Sequence, residues 1–155
     1  MDGKYLVARE TLTTATNKPN TGVARRYSAG FGPINVAPTV SADPSTSATT
    51  VVTGNRVRAN LGTWVSNTRP IVYTYRWFNC NSAIATAQAT VPTANCTAIA
   101  GADSADLIVP NSSSGKYLLL AVTASNAGGS LLRTSRTTNQ VTAAPANIAR
   151  LGWLR

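Results

Sequence analysis

The 155-residue sequence contains no histidine and only five acidic residues, Asp2, Glu10, Asp43, Asp103 and Asp106, against fourteen lysines and arginines. Without histidine the usual general base and triad partner are missing, and two cysteines alone do not make a zinc site. No glycine loop of the phosphate-binding kind is present. Asp103 and Asp106 are spaced like a carboxylate pair or part of a calcium-ligand set, but capping of a turn beside Gly101 is the simpler reading. The sequence therefore predicts no enzyme, no cofactor and no metal.

Long hydrophobic runs are also missing. Nothing approaches the roughly 18 apolar residues of a membrane span. The apolar run Tyr5–Ala8 near the start is only four residues long and is flanked by Asp2 and Glu10. That is not a secretory leader. The expectation is a chain made in a host cytoplasm and used without such export, or one that has lost its leader, and with no membrane partner.

The formal charge of +9 rests on few charges, since charged residues make up only 12% of the chain. A basic balance favours acidic partners. The cations are spread along the chain, and only Arg25 and Arg26 are adjacent. Arg56, Arg58 and Arg76 read as sharing an exposed face. A dedicated nucleic-acid binder clusters its cations more densely. Solvated arginine, or docking on an acidic protein surface, is preferred.

What the sequence does have is one strong strand, Ile71-Val-Tyr-Thr-Tyr-Arg-Trp-Phe-Asn-Cys80. It is β-branched and aromatic, lacks glycine, and has its proline just before it at Pro70. Alternation puts Ile71, Tyr73, Tyr75 and Trp77 on one face and Thr74, Arg76 and Phe78 on the other. Three aromatics in five residues predict a central core strand. The rival reading is an exposed aromatic platform for sugars or bases.

Around that strand, residues 34–142 read as an all-β sandwich, with short strand-like runs between turn signals. The expected strands are Ile34–Val40, Thr49–Val52, Arg56–Leu61, Ile71–Asn79, Ala85–Val91, Leu107–Val109, Lys116–Ser125 and Ser130–Val141. Asn126-Ala-Gly-Gly129 reads as a hairpin turn. Cys80 and Cys96 enclose 15 residues. They read either as a disulfide stapling the loop after the Trp77 strand, rather than joining two sheets, or as two buried thiols in a reducing cytosol.

The two ends of the chain differ from the middle. Residues 1–33 offer a possible short strand at Tyr5–Ala8 but no apolar periodicity, and they end in the Gly30-Phe-Gly-Pro33 breaker. Such an arm cannot bury enough surface to fold alone. It is either disordered or ordered by a surface it lies on. Residues 143–155 start with an Ala-Pro spacer and end in Ile148-Ala-Arg-Leu-Gly-Trp-Leu-Arg155, an apolar tail that either folds back on the sandwich or docks elsewhere.

Several motifs occur in order through residues 38–142: Gly62-Thr-Trp64, Tyr75-Arg-Trp77, Cys80 with Cys96-Thr-Ala-Ile-Ala-Gly-Ala102, Gly115-Lys-Tyr-Leu118 and Val122-Thr-Ala-Ser-Asn-Ala-Gly-Gly-Ser130. In these the chain resembles the bacterial and bacteriophage immunoglobulin-like modules. One departure is Ser113, where those modules usually carry an acidic residue. The resemblance implies an immunoglobulin-like β-sandwich; Trp64, Tyr75, Trp77 and Val122 are expected in its core, and the extended N-terminal and C-terminal arms match nothing in those modules. Such folds serve many functions, so the arms are where this chain's own function is expected.

The expectation is a non-enzymatic virion protein that decorates and cements a phage capsid, its partner being the major capsid protein, another virion protein or copies of itself. Tyr5, Leu6, Val7, Arg25, Arg26, Tyr27 and Phe31 are the expected contacts at one end. Ile148, Arg150, Leu151, Trp153, Leu154 and Arg155 are those at the other. The alternative is a carbohydrate or cell-surface binding module of a tail fibre or adhesin, with Trp64, Tyr73 or Tyr75 stacking on sugar.

Overall fold

The computed structural model describes residues 7–12, 24–28, 32 and 34–145. Near the start, β1 (Arg9–Leu12) and β2 (Ala24–Tyr27) form an antiparallel hairpin with Arg9 opposite Tyr27. Then follow β3 (Thr39–Ala42), β4 (Ser45–Thr46), β5 (Arg56–Asn60) and β6 (Thr63–Val65). The remaining strands are β7 (Val72–Cys80), β8 (Cys96–Ala98), β9 (Asp106–Ile108), β10 (Tyr117–Asn126) and β11 (Gly129–Thr134).

The fold is an all-β sandwich of antiparallel sheets, consistent with the immunoglobulin-like class. One layer is the four-stranded sheet β11-β10-β7-β8; the strands facing it are β4-β5-β9 and the pair β3-β6. β7 and β10 pair along the whole of β7, from Val72 opposite Ser125 to Cys80 opposite Tyr117. They are the long strands because each alternates large apolar side chains toward the core. Trp77 is 0% exposed, and Leu118, Leu120 and Val122 are fully buried. From the facing strands come Val57, Trp64, Leu107 and Val109, and Val51 and Val141 complete the cluster. Ile71, Tyr73 and Tyr75 pack against it half-buried, as the alternation predicts.

A second cluster lies on the other face of β7. Cys80, Cys96 and Leu119 are buried there, with Phe78, Ile84, Val91 and Tyr117 around them. The cover is the loop 81–95. A disulfide joins Cys80 to Cys96 (S–S 2.04 Å) where these two residues face each other at the end of the β7–β8 ladder. It staples the loop after the Trp77 strand and does not join two sheets.

Several strand expectations need correction. Ala85–Val91 is loop, because its backbone is held by hydroxyls: the N–H of Ile84 donates to Thr137 Oγ1 (3.0 Å) and that of Gln88 to Thr134 Oγ1 (2.9 Å). The strand expected from Ile34 begins at Thr39, beyond Pro38, which has no N–H to give a ladder. Thr49–Val52 makes only a bridge from Val52 to Thr142. The last strand stops at Thr134. Beyond it, Ser135 and Thr138 hydroxyls accept from the Leu120 and Leu118 N–H groups, replacing regular pairing with β10. Thr63–Val65, Cys96–Ala98 and Arg9–Leu12 were not expected as strands. Of the strand expected at Tyr5–Ala8, Val7 and Ala8 are not in a strand, and Tyr5 and Leu6 lie outside the described residues. Residues 9–12 and 24–27 thus form a hairpin where an extended arm was expected.

The β10–β11 turn fixes the root of the N-terminal segment. Asn126 Nδ2 lies 2.9 Å from the carbonyl of Val36, 2.8 Å from Ser66 Oγ and 3.0 Å from the carbonyl of Thr68, and its Oδ1 accepts from the Gly128 N–H. A side chain at Gly128 would collide with the backbone of Val36 and Ala37. At Gly62, φ is +74° and a Cβ would strike the backbone of Ala42 and Asp43. Glycine is required at both places for different reasons, close approach in one and approach plus a left-handed backbone in the other.

Candidate functional site

The residues expected to meet a partner fall into three groups. Tyr5, Leu6, Phe31, Ile148, Arg150, Leu151, Trp153, Leu154 and Arg155 lie outside the described residues. Arg25 and Arg26 are placed by their backbone in β2, opposite Thr11 and Glu10. Val7 and Tyr27 are described in full, and both are exposed, at 51% and 62%. The hairpin that carries them closes through Ser28, whose N–H donates to the Ala8 carbonyl (2.9 Å) and whose hydroxyl accepts from the Ala8 N–H (2.9 Å).

Ile34 and Val36, on the way from the hairpin to β3, are exposed as well. Exposed single apolar residues are ordinary, but here four, Val7, Tyr27, Ile34 and Val36, are exposed within thirty residues. A two-stranded hairpin of four-residue strands is also at the margin of stability by itself. Burial of these side chains on another surface would supply what the hairpin lacks.

The aromatic platform is placed differently. Trp64 and Trp77 are buried, Tyr73 and Tyr75 are half-buried in the same core, and the rings of Trp64 and Tyr73 pack 6.2 Å apart. Indole N–H groups are satisfied internally: Trp64 Nε1 donates to the Leu61 carbonyl (2.8 Å) and Trp77 Nε1 to that of Ser104 (2.9 Å). These rings are engaged with the protein and not offered to a sugar.

The expected basic face is split. Arg56 and Arg58 lie on β5, and Arg76 lies on β7 in the other sheet. Arg58 pairs across the β5–β9 ladder with Asp106, Nε to Oδ1 at 2.9 Å, and Arg56 approaches the same carboxylate at 3.7 Å. The Arg58 hydrogen bond holds the Asp106 carboxyl below its ordinary range, and the charges of Arg58 and Arg56 act in the same direction. Asp106 is thus a strand residue in an ion pair, where capping of a turn was expected. Arg69 and Arg76 are exposed cations with no acid beside them among the described residues.

Ser113, at the position where the resembled modules carry an acid, is fully buried, and its hydroxyl lacks a hydrogen-bond partner. It closes a single 3-10 turn, Asn111–Ser113, ahead of Gly115 at φ +75°. The turn is held by backbone bonds, with the Ser113 N–H donating to the Pro110 carbonyl and the Lys116 N–H to that of Ser113.

No family model, no curated protein and no solved structure matches the chain. What is established is the fold: an all-β, immunoglobulin-like sandwich with a disulfide-stapled loop, preceded by a small basic hairpin.

Proposed function

We propose that this chain is a non-enzymatic structural protein of a bacteriophage particle, of the kind that decorates and cements the outside of a capsid. The sandwich would sit on the shell and the terminal segments would reach across neighbouring subunits. The observation that carries this reading is the exposed apolar set Val7, Tyr27, Ile34 and Val36, on the hairpin and on the segment leading from it to β3. Such a segment gains most from burial on a larger surface. Arg25 and Arg26 in β2, with the overall charge of +9, suit an acidic surface, and charge of this kind sets association rate and orientation more than affinity. Several weak attachments on one rigid body add up through effective concentration. The major capsid protein is the first partner to test, with copies of the chain itself next.

The test is immunogold electron microscopy of phage particles with antibodies raised against the full chain. Labelling over the whole head surface supports the reading. Label confined to the tail, or found only in host-cell fractions, overturns it. The attachment is tested with the full chain carrying Tyr27→Ser, which should bind stripped capsids at least tenfold more weakly than the parent. A stacking role in carbohydrate binding gains no support from Trp64, Tyr73 or Tyr75, whose rings belong to the core.

A further inference from the structure

We propose that the free edge of β7, from Val72 to Arg76, is a docking edge that takes an extended, acidic peptide segment of a partner protein as an added strand. β7 pairs with β10 along its full length, but on its other side β8 covers only Phe78–Cys80. Trp77 shows which way the backbone points there. Its N–H donates to the Ala102 carbonyl (3.0 Å) and its carbonyl accepts from the Ile99 N–H (2.9 Å), both on the β8 side. Backbone direction alternates along a strand in an antiparallel ladder, so the N–H and C=O of Tyr75 and Tyr73 point to that same side. Among the described residues no strand lies against them.

The other edges of the sandwich are blunted in familiar ways. β9 is three residues long and β4 two. β3 is broken by a register shift between Val40 and Ala42. β11 carries Arg133, paired with Asp43, and its Thr134 backbone is already taken by Gln88. Over Val72–Arg76 β7 carries one charge, Arg76, but no register shift, and no strand covers its free side among the described residues. It presents a straight run whose outward side chains, Val72, Thr74 and Arg76, are exposed and suited to cross-strand contact.

Charge decides the occupant. Arg76 lies at one end of the open run and Arg69 just before the other, both exposed and without an acidic partner among the described residues. A second copy of this chain, at +9, would bring like charge to the same edge. An acidic extended segment meets both arginines while its backbone satisfies Tyr73 and Tyr75. This proposal rests on residues other than those of the N-terminal hairpin, so its failure would leave the capsid reading standing, and failure of the capsid reading would leave this edge to be tested as it is.

The experiment is amide hydrogen exchange, by NMR, on the full chain titrated with a synthetic nine-residue peptide of alternating glutamate and threonine. The Tyr73 and Tyr75 amides should exchange freely in the chain alone and at least tenfold more slowly with the peptide bound. The same peptide N-methylated at alternate residues should give no protection. Arg76→Glu should weaken binding at least tenfold, and Arg136→Glu, on the far side of the sheet, should not. Absence of protection overturns the proposal. So does binding that N-methylation leaves unchanged, which is attraction by charge alone. Protection of both amides in the peptide-free chain, with elution as a dimer, would assign the edge to a second copy and overturn it equally.

Discussion

Arg133 Nε donates to Asp43 Oδ1 at 2.7 Å, tying the edge strand β11 to the β3–β4 corner of the facing layer. The pair closes one side of the sandwich with a charge held on an edge strand. Both side chains are partly exposed, so the pair is worth little by itself. A double-mutant cycle with Arg133→Ala and Asp43→Ala should give a coupling of about 0.5–1 kcal/mol that fades at high salt. A coupling that salt leaves unchanged would show that the pair acts through packing.

Among the described residues Trp77 is the largest fully buried side chain, and its indole N–H donates to the Ser104 carbonyl. Trp77→Ala should cost roughly 3–5 kcal/mol in urea unfolding, enough to unfold a domain of ordinary stability. Trp77→Phe should cost less and still leave the Ser104 carbonyl without its donor. A soluble Trp77→Ala variant with a near-parental melting temperature would remove Trp77 from the centre of the core.

The disulfide closes a 15-residue loop, for which chain entropy gives about 3 kcal/mol. The Cys80→Ala, Cys96→Ala double variant should lose about that much stability and keep the sandwich, because the second cluster is separate from the main core. Intact mass under non-reducing conditions checks the bond in the parent, which should lack free thiols.

Asp106 is held below its ordinary carboxyl value of 3.8 by the Arg58 hydrogen bond. A carboxyl depressed in the folded state stabilises above the unfolded value, and that contribution is lost as pH falls through the folded value. Parent and Asp106→Asn should therefore differ in melting temperature at neutral pH and converge below about pH 3.8. The difference should be small, since the pair is exposed, and should shrink in salt. Convergence at alkaline pH would assign it to another group.

Gly128→Ala should cost about 1–3 kcal/mol, because a Cβ there displaces the Val36–Ala37 backbone from the β10–β11 turn. Exchange protection at Val36, whose N–H donates to Thr68 Oγ1 (2.9 Å), should fall in the same variant. If stability drops and Val36 stays protected, the turn itself has been strained and the root of the N-terminal segment is unaffected.

The sandwich was legible where side chains alternate. Ile71, Tyr73, Tyr75 and Trp77 face the core because strand alternation puts them on one side. It failed where hydroxyls replace strand partners, as at Ile84, Gln88, Ser135 and Thr138, since threonine and serine look the same in a sequence whether they cap a loop or line a strand. The hairpin was not legible either. Arg9-Glu-Thr-Leu12 and Ala24-Arg-Arg-Tyr27 have no apolar alternation, and only their pairing makes them strands. Of the expected partner contacts, Val7 and Tyr27 are exposed. The split of Arg76 from Arg56 and Arg58 needed the sheet assignment, because sequence spacing says nothing about which layer a strand joins.

The Asn126 clasp on Val36 and the Ala144 bond to Thr53 sit at opposite poles of the sandwich. β10 runs between them, from Tyr117 beside Gln140 to Asn126 beside Val36, a length of about 30 Å at roughly 3.3 Å per residue. A molecule gripped by both its ends would therefore be pulled lengthwise. The load would run along the backbone of β10, and its nine pairs with β7 would lie alongside the pull, so that none of them is unzipped in turn. Mechanically the sandwich would then be a rivet, strongest along the line joining its two poles.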